Sequence, residues 1–407
     1  MKRLLMIAYH FPPLAGSSGI QRTLRFVQQL PAFGWQPLVL SADPRAYERT
    51  SHDLLADIPA GTVVRRPLAF DTARQLSLGG RYFGWMARPD RWVSWKFGAV
   101  REGLRLIDEY KPDAIWSTYP IATAHLIGAE LHRRSGIPWF ADFRDPMAQE
   151  GYPADPLVWK SFKRIGEGAL RRATRSLFTT PGAARVYRER YPDAAERIAV
   201  LENGYDEETF ATADADRSPL NPGTLTLVHS GIIYPEERDP TQLFEALGRL
   251  KKTGKIAPGQ IKLRFRAAVH DELLSDLART HDVAEFIECC PAVPYRAAIS
   301  EMLRADGLLV MQAANCNEQI PAKLYEYLRA DRPIIALTDP VGDTATTLRQ
   351  AGVPKIARID SAEEIAAILS EFVHNEGERT RNRPDPRQVA AASRRERTAQ
   401  LAKLLES

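Results

Sequence analysis

The chain has 407 residues, a mass of 45.6 kDa and a formal charge of +4, from 55 Lys and Arg against 51 Asp and Glu. Its 44% hydrophobic content suits two to three folded domains, and the near balance of charge excludes a dedicated nucleic-acid binder, so any anion site must be local. The three cysteines (Cys289, Cys290, Cys316) and eight histidines lack disulfide or metal-ligand spacing, and no apolar run approaches the roughly 18 residues of a membrane span.

The first element, Leu4–Tyr9, is apolar but too short for a signal peptide and runs into His10-Phe11-Pro12-Pro13. It reads as a β-strand, and the expected setting is reducing and cytoplasmic. A loop, Leu14-Ala15-Gly16-Ser17-Ser18-Gly19, then leads into the amphipathic stretch Ile20–Leu30. Further strands are expected at Pro37–Ser41, Ala114–Ser117, Pro138–Ala141, Ser176–Thr179 and Ile198–Leu201, with a helix over Trp95–Tyr110. After Asn203 the series breaks, and Ala211–Pro222 is rich in Ala, Asp, Ser and Pro, as in a linker. Strands resume at Leu225–Ser230, Ile261–Ala267, Glu285–Cys289, Gly307–Met311 and Pro333–Leu337, with helices over Thr241–Lys252 and Tyr295–Arg304. A polar stretch, Asn375–Pro386, precedes a last helical pattern ending at Ser407.

Continuous apolar strands alternating with helices predict parallel sheets covered on both faces. The expected fold is therefore α/β, with two Rossmann-like doubly wound domains facing a central cleft. The expected division is 1–204, 205–385, and a terminal helix, 386–407, packing back on the first domain.

Three segments carry candidate chemistry. Glycines in the Gly16–Gly19 loop let the backbone approach a ligand, and the helix start behind it offers free N–H groups to an anion. An ordinary βα turn explains the same residues, since neither a dinucleotide fingerprint nor a P-loop is present. The second segment, Asn315–Leu328, follows a buried strand and opens a helix, with Pro321 suited to its first position. Its amides and Lys323 suit phosphates, while Glu318 and Glu326 suit sugar hydroxyls. A surface helix with a Lys–Glu pair fits the same spacing. The third, Arg81–Phe97, holds three of the seven tryptophans, and five cations lie between Arg81 and Arg101 against Asp90 alone. Such a stretch suits an anionic membrane surface or a lipid-linked acceptor; the alternative is that Trp92 and Trp95 anchor the next helix.

Glu318 and Glu326 form an E-x7-E pair followed by Arg332-Pro333-Ile334-Ile335. Upstream, in order, lie His10-Phe11-Pro12-Pro13, the Gly-Ser loop, Asp142-Phe143-Arg144-Asp145-Pro146, Asn203-Gly204-Tyr205-Asp206 and His229-Ser230-Gly231. This ordered set resembles the GT-B retaining glycosyltransferases of family 4 nearly end to end, most specifically over Ile320–Leu328. The resemblance implies transfer of a sugar from a nucleotide-diphosphate sugar to an acceptor hydroxyl, in polysaccharide or glycoconjugate assembly. It implies no cofactor and no metal, and a sugar, lipid-linked or small-molecule acceptor.

By the same resemblance, Glu326 holds the ribose, Glu318 meets the transferred sugar, and the backbone of Gln319, Ile320 and Leu324 lies by the nucleotide sugar. Gly16, Ser17, Ser18 and Gly231 admit the donor. The family's cations near that last glycine are replaced here by Ile232–Arg238, so Arg238 and Lys323 are expected to stabilise the leaving diphosphate. Asp142 stands where many relatives have a histidine, and a carboxylate there would orient the acceptor hydroxyl or receive its proton. His10, Arg22 and Arg144 complete the expected acceptor side, whereas His229 reads as structural. Asp214-Ala215-Asp216 has the D-x-D form of metal-dependent transferases of another fold, but it lies in the polar linker. The alternatives are a sugar-nucleotide epimerase of the same fold, or an idle sugar-nucleotide-binding subunit of a partner enzyme.

Overall fold

The aliphatic runs form two wholly parallel sheets in a computed structural model that describes residues 1–407 other than Ser18, Glu150, Asp214 and Ala215. The chain divides into two units, Met1–Asn203 with Arg394–Ser407, and Gly204–Ser393.

The first unit holds β1 (Lys2–Ile7), β2 (Trp35–Leu40), β3 (Val63–Arg65), β4 (Ala114–Thr118), β5 (Trp139–Arg144), β6 (Arg175–Phe178) and β7 (Ile198–Val200). They lie in the order β3-β2-β1-β4-β5-β6-β7. Successive β1 side chains serve opposite faces: Leu5 and Ile7 join one core, Leu4 and Met6 the other. That is why the strand reads as a continuous apolar run. The helix Arg394–Leu404 returns from the far end of the sequence and packs on the helix Gly19–Gln29. It buries Leu401, and Leu405 just beyond its end is buried too, about 1.5–3 kcal/mol each, and the Thr398 hydroxyl donates to Gln29 at 2.9 Å.

The second unit holds β8 (Leu225–Ser230), β9 (Ile261–Arg266), β10 (Ile287–Cys290), β11 (Gly307–Gln312), β12 (Ile334–Thr338) and β13 (Ile356–Ala357), in the order β10-β9-β8-β11-β12-β13. Strand order reverses between β1 and β4 in one sheet and between β8 and β11 in the other. Loops leaving these strands lie at the switch points where such sheets bind ligands.

Three expectations need correction. The edge strands β3 and β13 are too short to show as periodic runs. The segment after Asn203 is not a bare linker: Asp206 caps a short helix, Glu207–Ala211, and Tyr205 and Phe210 are buried in the second unit. The chain re-enters the first unit at Arg394 rather than 386, because Val389 and Ala392 belong to the second unit's core.

Candidate functional site

In the second unit, chemistry gathers where β8 and β11 end. Gly231 follows β8 with φ +110, and a Cβ there would stand 3.0 Å from the Lys323 amine. The left-handed conformation favours glycine here, and any side chain would press on the lysine amine. Lys323 opens the helix Lys323–Arg329 and lies 3.1 Å from Nε2 of His229. Burial is the main cause, with the nearby Arg238 charge second, that lowers the Lys323 amine to about 7. The Tyr327 hydroxyl accepts from the backbone N–H of Ser230 at 2.8 Å, and the Tyr295 hydroxyl lies 2.6 Å from the Glu326 carboxylate.

A clamp sets the shape of the loop after β11. The Gln312 amide donates to the carbonyls of Cys316 and Gln319, each at 3.1 Å, and the Thr344 hydroxyl bonds the Gln312 side chain. Backbone bonds from Ala313 to Glu237, and from the Asn315 side chain to Glu236, tie this loop to the turn carrying Arg238. Arg238 lies over the Tyr234 ring and donates to the Ile232 carbonyl at 3.1 Å. The structure thus brings together Gly231, Arg238, Lys323 and Glu326, with Glu318 and Gln319 in the clamped loop. Ile320 and Leu324 point into the core, so any ligand contact of theirs is through backbone. The helix begins at Lys323, two residues later than Pro321 suggests, with Ala322 as its N-cap.

In the first unit the expected acceptor residues fall into two groups. His10 and Ser17 meet at 2.9 Å, and a Cβ on Gly19 would stand 2.6 Å from both His10 Nδ1 and an Arg144 nitrogen. Arg144 reaches this place because β5 is irregular against β6 and Arg144 takes φ +59, its carbonyl held by Thr179. Burial, and then the Arg144 charge, lower the His10 imidazole to about 3. Gly16 sits in the loop with φ +81, while Ser18 lies outside the described residues.

The second group is a closed lock. Arg22 donates through Nε and one terminal nitrogen to Asp142 at 3.0 and 2.9 Å, and to Leu201 O, Glu202 O and Asn203 Oδ1 at 2.9, 3.1 and 3.2 Å. All five guanidinium N–H groups are used. The Thr118 hydroxyl is 2.9 Å from the Asp142 carboxylate, which has no exposed surface. Asp142 and Arg22 therefore depart from the expected acceptor-side roles: the carboxylate is enclosed and spent on holding the arginine.

The aromatic stretch is divided. Trp95 is buried and donates to Ser41 O at 3.0 Å, and Trp92 packs tilted against Tyr9 with ring centroids 4.9 Å apart. Phe83 and Trp85, by contrast, lie parallel at 6.3 Å and are 71% and 68% exposed, and Phe97 is 78% exposed. Asp71, which pairs with Arg91, is buried, and Asp90 accepts from Thr123, so neither offsets Arg81 and Arg101 at the surface. No helix among the described residues is long and apolar enough to cross a membrane.

Among the described residues no cluster of three His, Cys, Asp or Glu side chains could hold a metal. Of the D-x-D segment, Asp214 and Ala215 lie outside the described residues; Asp216 accepts from Ser218 at 2.7 Å.

Residues 18–204 match the family model of the glycosyl transferase 4-like domain. HepE of Anabaena, solved in complex with UDP-glucose, superposes over 100% of both chains with a TM-score of 0.69 at 14% identity. The chain has the GT-B fold. Sucrose-phosphate synthase of Thermosynechococcus elongatus covers 100% of this chain and 98% of its own, with a TM-score of 0.65 at 12% identity. A UDP-N-acetylglucosamine 2-epimerase covers 100% and 95%, with a TM-score of 0.60 at 10% identity. At these identities the likeness is one of fold. No curated protein matches the sequence.

Sequence reasoning missed Gln312, Thr344, Tyr295 and Tyr327; the Gln312–Thr344, Tyr295–Glu326 and Tyr327–Ser230 bonds each link residues more than 30 positions apart. His229 was legible only as a strand-end residue two before Gly231.

Proposed function

We propose that this GT-B protein is a retaining glycosyltransferase that moves a sugar from a nucleotide-diphosphate sugar to an acceptor hydroxyl in polysaccharide or glycoconjugate assembly. The observation that carries the reading is the convergence of Lys323 and Arg238 beside the open Gly231 backbone, with Glu326 one turn along the same helix. Two cations near a backbone without side chain suit a diphosphate, and a carboxylate beyond them suits ribose hydroxyls. Glu318 meets the transferred sugar. His10, Ser17 and Arg144 serve the acceptor, and Asp142 acts by holding Arg22. The leaving phosphate oxygen assists the acceptor while the cations stabilise the charge it develops, so no metal is required. Phe83, Trp85, Phe97 and the neighbouring cations rest on an anionic membrane surface, placing the enzyme at lipid-linked acceptors.

The test is a thermal-shift panel with UDP, GDP, ADP and dTDP in EDTA, on the native chain and on Glu326→Ala. A nucleotide at about 100 times its Kd stabilises the fold by about 2.7 kcal/mol. One nucleotide should stabilise the native chain alone; no shift with any would overturn the donor site.

The epimerase likeness gives a second reading its observation. An epimerase converts the nucleotide sugar with no second substrate, so an isomeric nucleotide sugar formed without acceptor would favour it. The glycosyl transferase 4-like match over residues 18–204 supports the transferase. An idle subunit would show no donor hydrolysis above background.

A further inference from the structure

His229 has two ring nitrogens with fixed duties. Its Nδ1 lies 2.9 Å from the Leu309 carbonyl, which can only accept, so Nδ1 carries the proton and Nε2 is a bare acceptor. The Lys323 amine, 3.1 Å away, is therefore the donor to Nε2. The ring is 1% exposed and sits 6.1 Å from the Phe265 ring. This bond places the amine against the gap left by the missing Gly231 side chain.

We propose that His229 is a positioning residue that holds the Lys323 amine at the open Gly231 backbone, and that this amine takes up one proton when a nucleoside diphosphate binds. The inference rests on the donor reading above. No covalent bond forms: the amine lone pair accepts a proton delivered by the buffer, and the ammonium then faces the diphosphate.

The surroundings supply the reason. Arg238, from the turn after β8, repels a charge on Lys323, while Glu326 on the helix favours it. Glu237 lies 3.8 Å from Arg238 and shares its charge. Glu318 and the Cys316 thiol, pushed up to about 11 by burial, flank the clamped loop, and the Tyr327 phenol is raised by burial. His229 itself is held well below its ordinary value by burial and by Lys323, so it does not compete for the proton. With burial and Arg238 outweighing Glu326, the empty site keeps much of the amine neutral; a diphosphate reverses the balance.

Calorimetry of UDP binding to the full chain, at pH 8 in Tris and in HEPES, reads the proton. A terminal phosphate, with its second ionisation near 6, is already fully charged there and contributes no uptake. An amine titrating at about 7 predicts uptake of about 0.9 proton per UDP at pH 8. Lys323→Arg, permanently charged, should bind UDP with no uptake. His229→Asn keeps a donor for Leu309 but withdraws the acceptor, so the amine loses its anchor at the open Gly231 backbone and UDP affinity should fall about tenfold. His229→Gln should restore affinity. UDP binding with equal heats in both buffers at pH 8 would overturn this inference while leaving the donor site standing. UDP affinity unchanged in His229→Asn would also overturn it. Failure of every nucleotide to bind the native chain would overturn the donor reading and this inference with it.

Discussion

Removing either partner of the Arg22–Asp142 lock should destabilise the first unit, and by unequal amounts. Breaking a buried ion pair by deleting one partner costs about 3–5 kcal/mol, because the other charge is left uncompensated. In Asp142→Asn the guanidinium still has Leu201 O, Glu202 O and Asn203 Oδ1, so the cost belongs at the lower end, about 3 kcal/mol. In Arg22→Met the carboxylate keeps only the Thr118 hydroxyl, and those three acceptors lose their donor together. The upper end, about 5 kcal/mol, follows. The double variant Arg22→Met/Asp142→Leu leaves no charge buried and should cost less than the sum of the singles, mainly through the buried Leu201 carbonyl, which loses its donor at about 1–3 kcal/mol. All seven tryptophans lie in the first unit, so urea unfolding followed by their fluorescence reports this unit alone. An unfolding midpoint unmoved in Asp142→Asn, with turnover abolished, would refute the lock and return Asp142 to the chemistry.

Gly231→Ala should lower UDP affinity about tenfold or more in calorimetry, because its Cβ would meet the Lys323 amine at 3.0 Å at φ +110; the tryptophan-monitored transition of the first unit should not move. Pelleting with anionic liposomes should fall when Phe83 and Trp85 become Ser, and separately when Arg81 and Arg88 become Glu; the native chain should also release as salt rises. Equal pelleting by all three would remove the membrane surface. His10 and His125 are lowered to about 3 and about 4, burial being the main cause in both. Unfolded, each binds a proton near 6.5, so their stabilisation is complete above 6.5 and is lost as the pH falls through 6.5 toward 4, at up to about 1.4 kcal/mol per pH unit for each. His125→Gln should flatten that slope in urea unfolding between pH 7 and 4.5, and an unchanged slope would reject the assignment.

The fold was legible where a strand is buried on both faces. β1 and β11 carry runs of Leu, Ile, Val and Met because each serves two cores, whereas β3 and β13 have too few residues to show a period. The switch points follow from sheet order, which alternation of strand and helix implies but does not specify. At the candidate site the residue types were legible and the pairings were not. Asp142 and Arg22 are 120 positions apart and Gln312 and Thr344 are 32 apart, so no local spacing links them. A carboxylate at a strand end reads alike whether it is open to an acceptor or enclosed by a guanidinium. Only the packing of Arg22 against the end of β7 decides.

The charge arrangement in the second unit follows from the short helix behind it. Lys323–Arg329 is less than two turns long, Ala322 supplies no side-chain cap, and Glu326 lies within the first turn. Aligned peptide dipoles in so short a helix, with a carboxylate already beside its free N–H groups, offer an incoming phosphate little beyond a few local hydrogen bonds. Under the proposed reading, the attraction must come from side-chain cations, and the turn 232–238 supplies Arg238 alone, partly offset by Glu237. Lys323 fills the deficit from the helix itself. It lies at the N-terminus, the end of a helix where a cation is least favoured, so its neutral form in the empty site and the imidazole that holds it are parts of the same solution.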